Sequence, residues 1–127
     1  MSGTQQRVLV VDDHPMVALA LKLHFRRGGR FCVAATALTA AEGLRLLAVE
    51  RFDAVLLDLH LDDLEGVPLV RAFRAAAPDT PLILHSAADD TPEVHAIRPL
   101  VDAVTMKADV GEVLDALDRV AAGRSVM

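Results

Sequence analysis

Five short apolar runs, each followed by a longer segment of helical period, constrain this chain more than any other feature. The runs are Arg7–Val11, Phe31–Ala35, Ala54–Leu57, Leu82–His85 and Ala103–Met106. Several are apolar throughout, without an alternating polar face, as strands must be when helices cover both sides of a sheet. Strand and helix alternating along a chain make βα units and hence a parallel sheet.

The helical segments carry their own start and stop signals. Pro15–Arg27 opens on a proline and closes at Gly28 and Gly29, while Ala40–Glu50 follows Thr39, with Glu42 three residues on as a capping box. Gly66–Ala77 stops before Pro78, and Thr91 with Pro92 starts a short fourth helix. Asp109 with Glu112 caps a last helix, Val110–Ala122, which Gly123 is expected to terminate. The 127 residues suit a single domain, with residues 6–123 as its core and residues 124–127 as the start of a linker or tail.

Composition narrows the function classes. With 53% hydrophobic and 24% charged residues the chain has the balance of a soluble α/β protein, and its apolar runs are too short to cross a bilayer. Met1–Gln6 lacks the apolar stretch of a secretory signal, so a cytoplasmic location without membrane contact is expected. The net charge of −5, the lack of any Lys/Arg run and the absence of Trp and Tyr predict no direct nucleic-acid contact. Cys32, the one cysteine, reads as a buried, inert thiol in an apolar strand. The five histidines, His14, His24, His60, His85 and His95, share no zinc-type spacing and read as scattered surface or partly buried residues.

In a doubly wound parallel sheet, ligands bind beyond the carboxyl ends of the strands, where the strand order reverses. The polar residues at those ends are Asp12 and Asp13 after the first strand, Asp58 after the third, Ser86 after the fourth and Lys107 after the fifth. Each has a local alternative. Asp13 could cap the first helix, Asp58 a turn, Ser86 could bond its own loop and Lys107 could be a solvated end. Three carboxylates converging on one crevice repel one another, however, and the set makes sense around a cation. Mg²⁺ suits it, taking oxygen ligands from few carboxylates plus a phosphate. Lysine and serine beside a metal-bound carboxylate suit a phosphoryl group, and Asp58 is then the nucleophile that forms an aspartyl phosphate.

The stretches "VLVVDDHP", "AVLLDLHLDDLEG", "LILHSA" and "VTMK" resemble, in order, the signatures of the response-regulator receiver domain of two-component signalling. The resemblance implies a CheY-like, flavodoxin-like (βα)5 fold with five parallel strands in the order 2-1-3-4-5. It implies Asp58 as phosphoacceptor, Ser86 as the switch hydroxyl and Lys107 as the phosphate-pairing lysine. Asp13, Asp58 and the backbone carbonyl of His60 would bind Mg²⁺ directly, with Asp12 acting mainly through water. The implied partners are a histidine kinase or phosphotransfer protein and, on activation, a second copy of the chain. "DDHP" and "DALDRVAAGRSVM" are similar to receivers that precede the DNA-binding domain of LuxR/NarL-type transcription regulators.

The sequence departs from that pattern at several positions. Val104 stands where the family has its aromatic switch residue, Ala108 and Asp62 where prolines are common, and "IRPLVDAV" replaces an Ala-Gly-rich stretch. Two other readings stay open: a receiver-like interaction module that switches without regular phosphorylation, and an aspartate-nucleophile phosphohydrolase. The second lacks its usual acid two residues after the nucleophile, where His60 stands, and has no cap domain. A nucleotide or flavin carrier is disfavoured because no glycine-rich loop follows the first strand.

Overall fold

The computed structural model describes residues 5–88, 90–107 and 109–126. Its elements run β1 (Gln6–Val11), α1 (Pro15–Gly28), β2 (Phe31–Ala37), α2 (Ala40–Val49), β3 (Ala54–Asp58), α3 (Gly66–Ala76), β4 (Leu82–Ser86), α4 (Pro92–Ile97), a 3-10 turn (Arg98–Leu100), β5 (Ala103–Met106) and α5 (Val110–Val126). All strand pairs are parallel and their order is β2-β1-β3-β4-β5, the doubly wound fold expected. No described helix is long and apolar enough to cross a membrane.

Period-two geometry sorts the apolar strands into two cores. Val8, Val10, Leu56 and Ile83 pack with Leu21 and Phe25 of α1 and with Val113 and Leu117 of α5. Leu9, Val11, Val55, Leu57 and Leu84 face the other way, onto Leu69, Val70 and Phe73 of α3 and onto Val94 and Ile97 of α4. Helix α2 lies close to this second face because Gly43 has no side chain. A Cβ there would stand 2.9 Å from the Phe73 ring and 3.0 Å from Val11 Cγ2.

Several boundaries differ from the sequence reading. β2 extends to Ala37, and as an edge strand most of it is only half-buried, including Cys32, so that thiol is not in the deep core. α1 ends one residue later than expected, with Gly29 at φ 71° closing it. α5 does not stop at Gly123 but runs on to Val126, through the residues assigned to a linker or tail. Glycine ends a helix by turning left-handed, and only Gly29 and Gly66 have positive φ among the described residues. At α2 the capping box forms in modified shape. Thr39 Oγ1 accepts the Glu42 N–H at 3.1 Å, while the Glu42 carboxylate reaches one residue further back, to the N–H of Leu38.

Candidate functional site: an acidic crevice at the strand ends

The order reverses between β1 and β3, and the acidic residues meet there. β1 delivers Asp12 and β3 delivers Asp58, both buried at 4% exposure, while Asp13 keeps about a quarter of its side chain in solvent. β5 ends in Lys107, whose backbone N–H donates to the Ser86 carbonyl at 2.8 Å. The turn that carries this lysine is pinned from α5, where Glu112 accepts the Met106 N–H and Asp109 accepts the Glu112 N–H. So anchored, Lys107 Nζ donates to Asp58 Oδ2 at 2.9 Å and stands 3.3 Å from Asp12 Oδ2.

Burial raises Asp58 above the ordinary carboxylate range, and repulsion from Asp12 adds to it, against the lowering effect of Lys107 and of the His60 N–H. Burial also works against the Lys107 charge, but the bond to Asp58 and the charges of Asp12 and Asp58 outweigh it and raise that lysine. One ammonium thus offsets a site that holds three carboxylates. Asp12 Oδ2 and Asp13 Oδ1 are shut off from solvent and lack a well-aligned hydrogen bond, their charged neighbours being Lys107 Nζ at 3.3 Å and His14 Nδ1 at 2.9 Å. Buried oxygens left in that condition are costly, and a cation would satisfy both. The described residues fit a divalent ion on this count: donor atoms of Asp12, Asp13, His14 and Asp58 all lie within 4.8 Å of one another.

The crevice opens into a cleft of about 580 Å³ whose walls include Asp58, His60, Ser86, Thr91, Glu93 and Lys107. Ser86 belongs to it, but its hydroxyl donates to the Ala88 carbonyl at 2.7 Å, bonding its own loop. Val104 is half-buried and packs against the core on the α3 and α4 face, so it does not line the cleft. The backbone N–H of His60 faces Asp58 Oδ1 at 3.3 Å, and its ring bridges Glu65 at 2.8 Å and Glu93 at 3.1 Å. Asp13 does not cap α1; the N-cap position is His14, with no side-chain cap bond.

Sequence reading missed two participants. His14 joins the acidic cluster, with Nδ1 2.9 Å from an oxygen of Asp12 and 2.9 Å from one of Asp13. Its position between the acid pair and Pro15 is the signal that could have found it. Asp63 accepts the N–H groups of Ala40 and Ala41, capping α2 from the β3–α3 loop, and these bonds lower its pKa. No local pattern announces that contact.

With this geometry in place, comparison with known proteins is decisive. Residues 8–118 match the family model of the response regulator receiver domain. The chain belongs to that family. Among curated relatives of this receiver domain, the transcriptional regulatory protein PrrA of Mycobacterium tuberculosis is 44% identical over 84 residues, 66% of this chain and 35% of PrrA. GlrR of Escherichia coli, also a transcriptional regulatory protein, is 34% identical over 96 residues, 76% of this chain and 21% of GlrR. The chain therefore spans about a third or less of these relatives. Among solved structures, the signal receiver domain of a NarL response regulator from Mycobacterium tuberculosis superposes with a TM-score of 0.83 at 25% identity, covering 95% of this chain and 99% of that one.

Proposed function

We propose that this receiver domain accepts a phosphoryl group on Asp58 and passes the signal on by a change of shape. The observation that carries the reading is the Asp58 carboxylate, buried at its base, open to the cleft and held at 2.9 Å by Lys107. An Asp58 oxygen attacks the phosphorus of a phosphohistidine on a histidine kinase or phosphotransfer protein. The O–P bond forms, the P–N bond breaks, and its electron pair stays on the departing imidazole. Lys107 neutralises charge on the transferred oxygens, and the backbone N–H of His60 keeps the carboxylate in place.

Asp13, Asp58 and the His60 carbonyl would hold Mg²⁺, with Asp12 acting through water. When bound, the ion neutralises the acidic crevice and the charge that develops on the phosphoryl oxygens. Ser86 completes the site only after its hydroxyl leaves the Ala88 carbonyl. The output would be transcription regulation from a DNA-binding domain outside these 127 residues, with pairing of two copies on activation, in the cytoplasm. That assignment draws on the relatives, which are transcriptional regulatory proteins.

Incubation with acetyl phosphate and Mg²⁺ tests the reading. Intact-mass analysis is expected to show one added, alkali-labile phosphoryl group that is absent from Asp58→Asn. Full modification of that variant rejects Asp58 as acceptor. A second reading, an interaction module that works without phosphorylation, is favoured by the self-bonded Ser86 and by Val104 lying outside the cleft. No uptake by the parent chain, with partner binding intact, selects it.

A further inference from the structure

Asp109 and Glu112 stand where a capping box opens α5, yet the glutamate does not take the usual N–H. The Asp109 N–H already donates to the Met106 carbonyl at 3.1 Å, and Glu112 Oε1 reaches past it to accept the Met106 N–H at 2.6 Å. Successive N–H groups along a strand point to opposite sides. The Lys107 N–H points to β4, where it meets the Ser86 carbonyl at 2.8 Å, so the Met106 N–H emerges at the open edge of the sheet, beyond β5. The strand end that carries Lys107 is therefore held from both sides, by β4 on one and by a carboxylate of α5 on the other. A carboxylate that accepts a backbone N–H makes a charge-assisted bond, about twice as strong as a neutral one. From this clamped peptide Lys107 Nζ reaches Asp58 Oδ2 at 2.9 Å, with 21% of its side chain in solvent.

We propose that Glu112 is a positioning residue for phosphoryl transfer to Asp58: by holding the Met106 N–H it fixes the peptide from which Lys107 reaches the transferred oxygens. The inference rests on Asp58 being the phosphoacceptor. Glu112 acts through Lys107, not on the phosphoryl group itself. A lysine side chain has many rotamers, and keeping its ammonium on one carboxylate oxygen costs less entropy where its backbone is already fixed. A shift of about 1 Å in a group that must meet developing charge can lower a rate on the order of a hundredfold. The same bond joins the first turn of α5 to the phosphoryl site by a link that does not pass through Val104.

The rate of uptake from acetyl phosphate at saturating Mg²⁺, followed by intact mass on the full chain, tests the proposal. Glu112→Ala is expected to slow uptake about tenfold or more. Glu112→Gln keeps an acceptor oxygen for the Met106 N–H and should stay within roughly threefold of the parent. Val120→Ala loosens the packing of α5 on the core without reaching Met106, and should leave the rate unchanged. In a Lys107→Ala background Glu112→Ala should slow uptake no further, because the residue through which it acts is gone. Parent-like uptake by Glu112→Ala overturns the proposal, as does a lack of rescue by glutamine. An equal loss in Val120→Ala, or a full Glu112→Ala loss on top of that of Lys107→Ala, also overturns it, because the role is then one of general stability. Failure of the underlying reading looks different: the parent itself takes up no phosphoryl group, which rejects Asp58 as acceptor and this proposal with it.

Discussion

The two loops that flank the crevice are built differently. Between β3 and α3, Leu59 and Leu61 are buried, the Leu61 N–H bonds the Leu64 carbonyl, and the Gly66 N–H bonds the Leu59 carbonyl. Asp63 ties the same loop to α2 through two backbone N–H groups. Between β4 and α4, Ala87 and Ala88 are exposed, and the Ser86 hydroxyl bonds within its own loop. The helix that follows has six residues. At the rim the two sides touch through His60 and Glu93 at 3.1 Å. A loop with buried side chains and bonds to a second element is costly to move, whereas one of small exposed residues leading into a short helix is not. Asp58 is thus held by the first loop, and under the proposed function the second is where a shape change would cost least.

This division implies a shape change unlike one that relies on a ring on β5. Val104 has no ring, and its β-branched side chain has few χ1 choices. Under the proposed function, movement would fall to the described residues from Ser86 to Thr91, where the Ser86 hydroxyl must first give up its bond to Ala88.

The largest effect expected concerns the buried anchor of the looser side. His85 on β4 pairs with Thr105 Oγ1 at 3.1 Å, and Thr105 in turn donates to the Leu84 carbonyl. Burial pushes His85 from 6.5 down to about 4, with Lys107 assisting and Asp12 opposing. Between these values the unfolded chain binds a proton that the folded protein does not. Stability is therefore complete above about 6.5 and falls as pH drops toward 4, by on the order of 2–3 kcal/mol from this group. Urea unfolding across that range should show a shallower fall for His85→Leu than for the parent. Identical slopes would mean that β4 has no such anchor.

A smaller effect separates the helix starts. Thr91 Oγ1 caps the short α4 by accepting the Val94 N–H, whereas Thr39 shares the start of α2 with Glu42 and Asp63. Thr91→Ala is expected to lose about 1 kcal/mol of local stability, seen as faster amide exchange at Val94 and His95. Thr39→Ala should open α2 less. The reverse ranking would break the comparison of the two loops.

The smallest signal is a redistribution of backbone NMR shifts on adding beryllofluoride, with BeF₃⁻ standing in for the phosphoryl group. Shifts should centre on the described residues from Ser86 to Thr91 and the first turn of α4. Large changes around Val104 with a quiet Ser86 would assign the movement to β5 instead.

Much of the fold was legible because it depends on local pattern. Apolar runs of strand length between helical segments produce a parallel sheet, and a polar residue directly after each run must emerge at the carboxyl edge. Boundaries were less legible where a residue permits two outcomes: Gly123 can end a helix or continue it, and α5 continues. The half-buried state of Cys32 follows from β2 lying at the edge of the sheet, which its own composition does not reveal.

By itself the sequence determined the βα alternation, the acidic residues at the strand ends and the motifs by which the family is recognised, since each is set by neighbours within a few residues. The strand order came from that resemblance, because an apolar period does not say which strand lies next to which. Tertiary structure alone decided that Lys107 bonds Asp58 across 49 positions, that Asp63 caps a helix 22 and 23 residues earlier, and that His14 turns its ring into the acid pair. It also left the Ser86 hydroxyl on its own loop. These contacts join groups far apart in sequence, or choose one rotamer among several, and packing and local charge make those choices only once the sheet has brought the strand ends together.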